Sequence, residues 1–193
     1  EDPVKTEGGL SSGNAGESSN FLCYRALRLN YYAVTGLLAR VCLYAGQREN
    51  AFNYSTEVIK ASNNGIFPFV DRSLVNGTAQ DPDRIFSPEV LFALSDSQRG
   101  ELFEEYFDPS LAPNMVFRME TDLLEQTIYG GTGTGGNLDD YRCRSNWISS
   151  GSARYFYKYS DMTESGRIEN TMIPLLRLGE MYLIAAESQS NSL

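Results

Sequence analysis

The sequence predicts a mainly α chain of helical hairpins, with long irregular loops and a few short strands. Three observations predict it. Between Arg28 and Gly65, apolar or small residues recur in pairs at helical spacing: Ala33 and Val34, Leu37 and Leu38, Val41 and Cys42, Tyr44 and Ala45, with no proline among them. A second helical stripe, Ala51, Phe52, Ser55, Val58 and Ile59, follows after a break of only a few residues. A third apolar run, IPLLRLGEMYLIAAES, lies at 173–188.

Residues 1–20 are rich in Gly, Ser and Glu and read as a flexible N-terminal segment, with Ser19-Asn20 placed to cap a short lead-in helix. The first helix is expected over 29–45, about 25 Å long at 1.5 Å per residue. Its stripe is wide enough for more than one neighbour. Gly46 suits the helix end because glycine tolerates positive φ. The second helix is expected over 48–61, closed by Asn63-Asn64-Gly65. A turn this short makes the two helices antiparallel partners. Leu38, Ala39, Cys42, Gly46 and Ala51 fall at the tetratricopeptide offsets for large apolar, small, aromatic, turn and small residues, with Cys42 in place of the aromatic. The pattern restarts at Leu178-Gly179-Glu180-Met181-Tyr182, so a tetratricopeptide-like, incomplete α-superhelix is expected. A helix over 174–188, with Pro174 in its first turn, belongs to it. That helix is apolar on two sides, through Leu175, Leu178, Tyr182 and Ala186 on one and Leu176, Leu183 and Ile184 on the other, and should leave an exposed apolar patch.

Between these units the signals are weaker. Asn76-Gly77 and Asp81-Pro82-Asp83 mark turns. Ser87–Ser95 is a compact apolar run that reads as a short strand or extended segment. Glu101–Phe107 has the character of a helical turn and Met119–Ile128 of a helix. The segment from Tyr129 to Asn137 is a Gly-rich loop, and Ala153–Tyr159 an aromatic strand.

Composition narrows the function classes. The net charge is −9 over 193 residues, which argues against nucleic-acid binding. No apolar run reaches membrane-span length. The opening Glu1-Asp2-Pro3 resembles neither a signal peptide nor an initiator Met, and a piece of a longer precursor is expected. The chain has no histidine, so Ser-His-Asp and Cys-His nucleophiles and imidazole metal ligands are excluded. Its three cysteines, Cys23, Cys42 and Cys143, form no CxxC pair. Cys42 reads as a small core residue, and a Cys23–Cys143 bridge stays open. No cofactor motif is expected to function. Gly131–Gly136 matches GxGxxG only formally, without the flanking strand and helix a dinucleotide needs.

Five stretches together resemble the SusD/RagB family of outer-membrane nutrient-binding proteins of Bacteroidota: LNYYAVTGLLARVCLYAG at 29–46, PEVLFALS at 88–95, DDYR at 139–142, KY at 158–159, and IPLLRLGEMYLIAAES at 173–188. In the last, Arg177, Glu180, Tyr182 and the Ala-Ala-Glu run carry the likeness. The resemblance covers roughly 28–95 and 139–188 and fades between them. It implies the middle portion of a larger protein: a partial α-helical domain over 21–193 with a loop-rich lobe at about 96–160. It further implies a surface lipoprotein of the cell outer membrane, anchored by a lipid outside this segment. Such proteins capture glycans, or peptides in some members, without turnover and lie as a lid over a TonB-dependent transporter barrel.

Candidate site residues follow from chemistry that suits sugars, whose CH faces stack on aromatic rings while polar neighbours bind hydroxyls. Twelve Tyr, ten Phe and one Trp are present. The loop candidates are Trp147, Tyr106, Tyr129 and Tyr141, with Asn114, Asn137 and Arg142 as polar neighbours, against the reading that each aromatic fills the core as Tyr44, Phe52 and Tyr182 are expected to. Two other functions compete: a tetratricopeptide-like protein–protein scaffold, and a carboxylate glycosidase using Glu101, Glu104, Glu105 or Asp108, which read otherwise as a solvated helix face. Asp139-Asp140 reads as a turn braced by side-chain hydrogen bonds, not a calcium site.

Overall fold

A computed structural model of the chain describes residues 27–75, 81–130 and 140–189. The expectations for residues 1–20, Ser19-Asn20, Cys23, Asn76-Gly77, Gly131–Gly136, Asn137 and Asp139 lie outside the described residues. Helices outweigh strands, and the chain divides into two compact units.

The first unit takes in the described residues through Phe69, Pro88–Leu94 and those from Ile173 on. Helix α1 spans Tyr31–Tyr44 and α2 spans Arg48–Asn63. The buried Asn30 caps α1, its side chain accepting from the Ala33 N–H at 2.9 Å. Gly46 ends it at φ +73°. The Gly46 N–H donates to the Leu43 carbonyl at 3.0 Å and the Gln47 N–H to that of Cys42 at 2.8 Å, the paired bonds of a Schellman closure. The same pair of bonds recurs at Gly65, φ +85°, which closes α2. Ala39, Ala51 and Ser55 are fully buried where the helices meet, so the small residues allow close approach.

Strand β1 (Val90–Ser95) pairs with β5 (Met172–Arg177), and helix α6 (Leu178–Gln189) follows and packs on α2. The helix expected over 174–188 therefore begins four residues late. Residues 174–177 are strand, because the apolar run Met172–Leu176 finds a partner strand in β1, and Pro174 is tolerated at a sheet edge as readily as in a first helical turn. Tyr32, Phe67, Leu91, Leu176, Leu178, Met181 and Ile184 make the core. Gly36 opens α1 to it: a Cβ there would stand 2.9 Å from Leu176 Cδ2 and 3.2 Å from Met181 Sδ. Arg40 clamps the far side, donating to both Glu180 carboxylate oxygens at 2.6 and 2.7 Å and to the Leu175 carbonyl at 2.9 Å.

Three core assignments are corrected. Tyr44 is 88% exposed, Tyr182 is 37% exposed and leans on Phe69, and Phe52 is only half-buried. Leu38, at the large apolar repeat position, is also exposed. It belongs to an outward stripe on α1, with Val34, Leu37, Val41 and Tyr44, whose spacing is as helical as that of the buried face. Of the exposed apolar surface expected over 174–188, Leu175 lies on β5 and Tyr182 and Leu183 on α6, but α1 carries more of it.

The second unit takes in the described residues of Val70–Ser87 and Ser95–Met172. Its centre is an antiparallel sheet in the order β2-β4-β3, formed by Arg118–Glu120, Ala153–Phe156 and Trp147–Ser150. The same unit holds the short helices α3 (Arg72–Val75), α4 (Arg99–Tyr106) and α5 (Tyr141–Asn146), of which α5 packs on β3 and α3 on α5. The helix expected over 119–128 is corrected. Residues 118–120 are strand and Leu123–Ile128 a π-helix, in which the Tyr129 N–H donates to the Leu124 carbonyl at 2.9 Å. The aromatic strand stops at Phe156, short of Tyr159. Val116, Ala153 and Tyr155 form the local core with Leu111 and Tyr157. The buried Asp83 carboxylate accepts from the N–H groups of Ile85, Phe86 and Ser87 and from the Ser87 hydroxyl, fixing the turn before β1.

Candidate functional site

The period-2 alternation of β4 sorts its side chains. Ala153 and Tyr155 face the core, while Arg154 and Phe156 face the other side and stay half-buried. Register pairs Phe156 with Trp147, the first residue of β3. Their rings stand 5.1 Å apart, tilted by 59°. Phe156 is a hub: Phe107 lies 5.7 Å from it and Tyr159 6.4 Å. Phe107 in turn meets Phe117 at 5.5 Å and Phe103 at 6.4 Å. The result is a continuous ladder of rings running Phe117, Phe107, Phe156, then Trp147 or Tyr159. Phe103 is buried beneath it, and Phe117, at 64% exposed, is its open end. Lys158 places its ammonium 5.3 Å from the Tyr159 ring centre.

The ladder gathers some of the sequence-predicted residues. Trp147 belongs to it, but as a half-buried strand residue and not on a loop. Tyr106, the last residue of α4, is 41% exposed, and its carbonyl accepts from the Phe117 N–H at 2.9 Å. Its phenol pKa is pushed up by a hydrogen bond with Glu105. Asn114 stands in the exposed turn that leads to Phe117. Tyr129, Tyr141 and Arg142 form a separate group. Arg142 lies over Tyr129 at 5.9 Å, and Arg72 over Tyr141 at 5.8 Å. Tyr141 and Arg142 open α5, capped by Asp140, whose carboxylate accepts from the Arg142 N–H at 2.9 Å and pairs with its guanidinium. Those bonds, the guanidinium's first, hold the Asp140 carboxyl below its usual range. Arg142 is thereby committed to its own helix cap. The loop reading is corrected for Tyr106, Tyr141 and Trp147, which sit at element ends because short elements form around them.

Phe107, Phe117, Phe156 and Tyr159 were missed by the sequence reading. For Phe156 the alternation within ARYFYKY is a local signal that sets it opposite the core-facing Tyr155. Tyr159 meets Phe156 three residues before it and Phe107 meets Phe103 four before it, but the contacts that assemble the ladder, Phe107 with Phe156 and with Phe117, join residues farther apart in the chain.

The carboxylate group does not converge. Glu101, Glu104 and Glu105 lie exposed on α4. Asp108 accepts from the Ser110 N–H at 2.7 Å, which moves its carboxyl below the usual range, the opposite of what a general acid needs. Among the described residues no three His, Cys, Asp or Glu side chains gather at a metal position, and no helix is long and apolar enough to cross a membrane. Cys42 and Cys143 are buried free thiols; burial pushes the Cys143 thiol pKa up, away from reactivity. Comparisons with protein-family models, with curated proteins and with solved structures each return no match.

Proposed function

We propose that this chain is a non-catalytic glycan-binding component of the SusD/RagB type. In this reading it is a surface-exposed lipoprotein of the outer membrane that captures oligosaccharides and delivers them to a TonB-dependent transporter barrel. The α1–α2 hairpin is one tetratricopeptide-like repeat of an α-superhelix, and α6 opens another. The observation that carries the reading is the ring ladder from Phe117 to Trp147, with tilted faces and an open end suited to the CH faces of sugars. Delivery without turnover fits the scattered carboxylates.

Isothermal titration against oligosaccharides tests it. Phe117→Ala should weaken binding by about 1–3 kcal/mol, by analogy with bases stacked on aromatic side chains. Its melting temperature should not move, because the ring is mostly exposed. Hydrolysis that disappears on changing two of Glu101, Glu104, Glu105 and Asp108 would move the assignment to a glycosidase. A second reading, a protein–protein scaffold, is favoured by the exposed stripe Val34, Leu37, Leu38, Val41 and Tyr44 on α1. It gains if Val41→Glu abolishes capture of a partner protein while no glycan binds.

A further inference from the structure

We infer that the cavity bounded by residues 161–171 seats one neutral sugar residue at the end of the ring ladder; this rests on the glycan reading above. The cavity holds about 530 Å³; its polar lining includes Asp161, Arg167, Thr163, Ser165 and Asn170, and Met162 and Ile168 are its apolar surface. That volume lies within the range of roughly 300–1,000 Å³ common to small-molecule sites.

The walls are braced although they belong largely to a loop. Arg99, almost fully buried, donates to the carbonyls of Glu169 and Met172 and, at 3.1 Å, to Asp161 Oδ1. Asn170 accepts from the Met162 N–H at 2.8 Å and donates back to the carbonyls of Met162 and Glu164. Asp81 takes the Thr163 N–H at 2.9 Å. Three side chains from different parts of the unit thus fix both sides of the opening, and a ligand pays little ordering entropy on entering a preformed site.

Ladder and cavity meet at Arg99. Its guanidinium lies 5.8 Å from the centre of the Tyr159 ring, the last rung, and binds the Asp161 carboxylate, the first lining residue. The absence of a side chain at Gly100 matters here: a Cβ would stand 2.8 Å from Asp161 Oδ2. Asp161 keeps half of its side-chain surface exposed while Oδ1 is held by Arg99, and a carboxylate has lone pairs left to accept sugar hydroxyls.

Charge selects against acidic sugars. Arg167 is committed to Glu169, at 3.0 and 3.1 Å, and faces Glu164 as well. The charged side chains that line the opening are Asp161 and Arg167, and Arg167 is already held by Glu169 and Glu164, so a uronate would meet the Asp161 carboxylate without an uncommitted guanidinium to offset it. A neutral ring offers hydroxyl donors to Asp161 and a CH face to Met162 and Ile168.

The test uses the full chain, titrated with neutral hexasaccharides of glucose (α-1,4, β-1,4 and β-1,3) and of xylose, and with hexagalacturonate. At least one neutral hexasaccharide should bind, and hexagalacturonate at least about tenfold more weakly. Ser165→Trp places a large ring in the opening from an exposed position and should lower affinity about tenfold, with the melting temperature unchanged. Asp161→Asn should lower it by a similar factor. Neutral binding that Phe117→Ala weakens but Ser165→Trp and Asp161→Asn leave intact would overturn this inference and keep the ladder. Tighter binding of hexagalacturonate would also overturn it. Failure of every saccharide to bind would remove the ladder reading and this one together.

Discussion

Replacing Gly46 isolates the energetics of the hairpin turn. The residue sits at φ +73°, where an L side chain costs roughly 1–2 kcal/mol. A Cβ added there would meet no atom within 4 Å, so no clash contaminates the measurement. Against the backbone cost stands a gain of about 0.4–1 kcal/mol, because alanine lowers the entropy of the unfolded chain. Gly46→Ala should therefore destabilise by about 1 kcal/mol. Gly46→Val, with a stiff branched side chain, should cost about 2 kcal/mol. Gly46→Asn should cost less than Gly46→Ala, since asparagine visits left-handed geometry more readily. Urea denaturation followed by circular dichroism gives all three numbers. For a chain of this size, 1 kcal/mol corresponds to a midpoint shift of about 2–4 °C. Equal stability of Gly46→Ala and the parent, or Asn no better than Ala, would refute the Schellman closure as the element that turns α1 into α2.

Three further outcomes are expected. Trp147→Ala should lower stability by about 2 kcal/mol, less than a fully buried Trp would cost, because the ring is only half-buried against Phe156. A thermal melt with no change would mean Trp147 anchors nothing. Gly36→Leu should cost about 3 kcal/mol in chemical denaturation, since its side chain must displace Leu176, Met181 and Leu91, whereas Gly36→Ala should be nearly neutral as helix propensity offsets the crowding. For Asp140, the folded carboxyl titrates below its unfolded value, so its contribution is fully present above about pH 4 and lost as pH falls through the folded pKa. Between pH 5 and 2 the parent should lose more stability than Asp140→Asn, which keeps the cap but not the charge. Parallel pH curves for the two would contradict the ion pair with Arg142.

The sequence by itself determined what short-range geometry controls. Gly46 and Gly65 end helices because only glycine takes their φ at little cost, and both ends are legible from composition and spacing. The small residues Ala39, Ala51 and Ser55 mark the α1–α2 contact for the same reason: their size states how close two helices can come. The cap at Asp140 and the solvated acids of α4 are equally local. Only the tertiary structure decided which apolar face turns outward. Tyr44 and Leu38 fit a helical stripe as well as Ala39 and Cys42 do, and periodicity does not say which stripe meets a neighbour. It also decided the strands. Residues 172–177 and 118–120 have no strong local preference, and they extend because strands far along the chain supply their hydrogen bonds: β1 for the first, and β4 for the second, where Met119 stands opposite Arg154, 35 positions on. The ring ladder and the Arg99 brace arise in the same way. Apart from the short steps Phe103–Phe107 and Phe156–Tyr159, they join residues far apart in sequence, because ring contacts and buried guanidinium bonds depend on distance in space, which the chain sets only once it has folded.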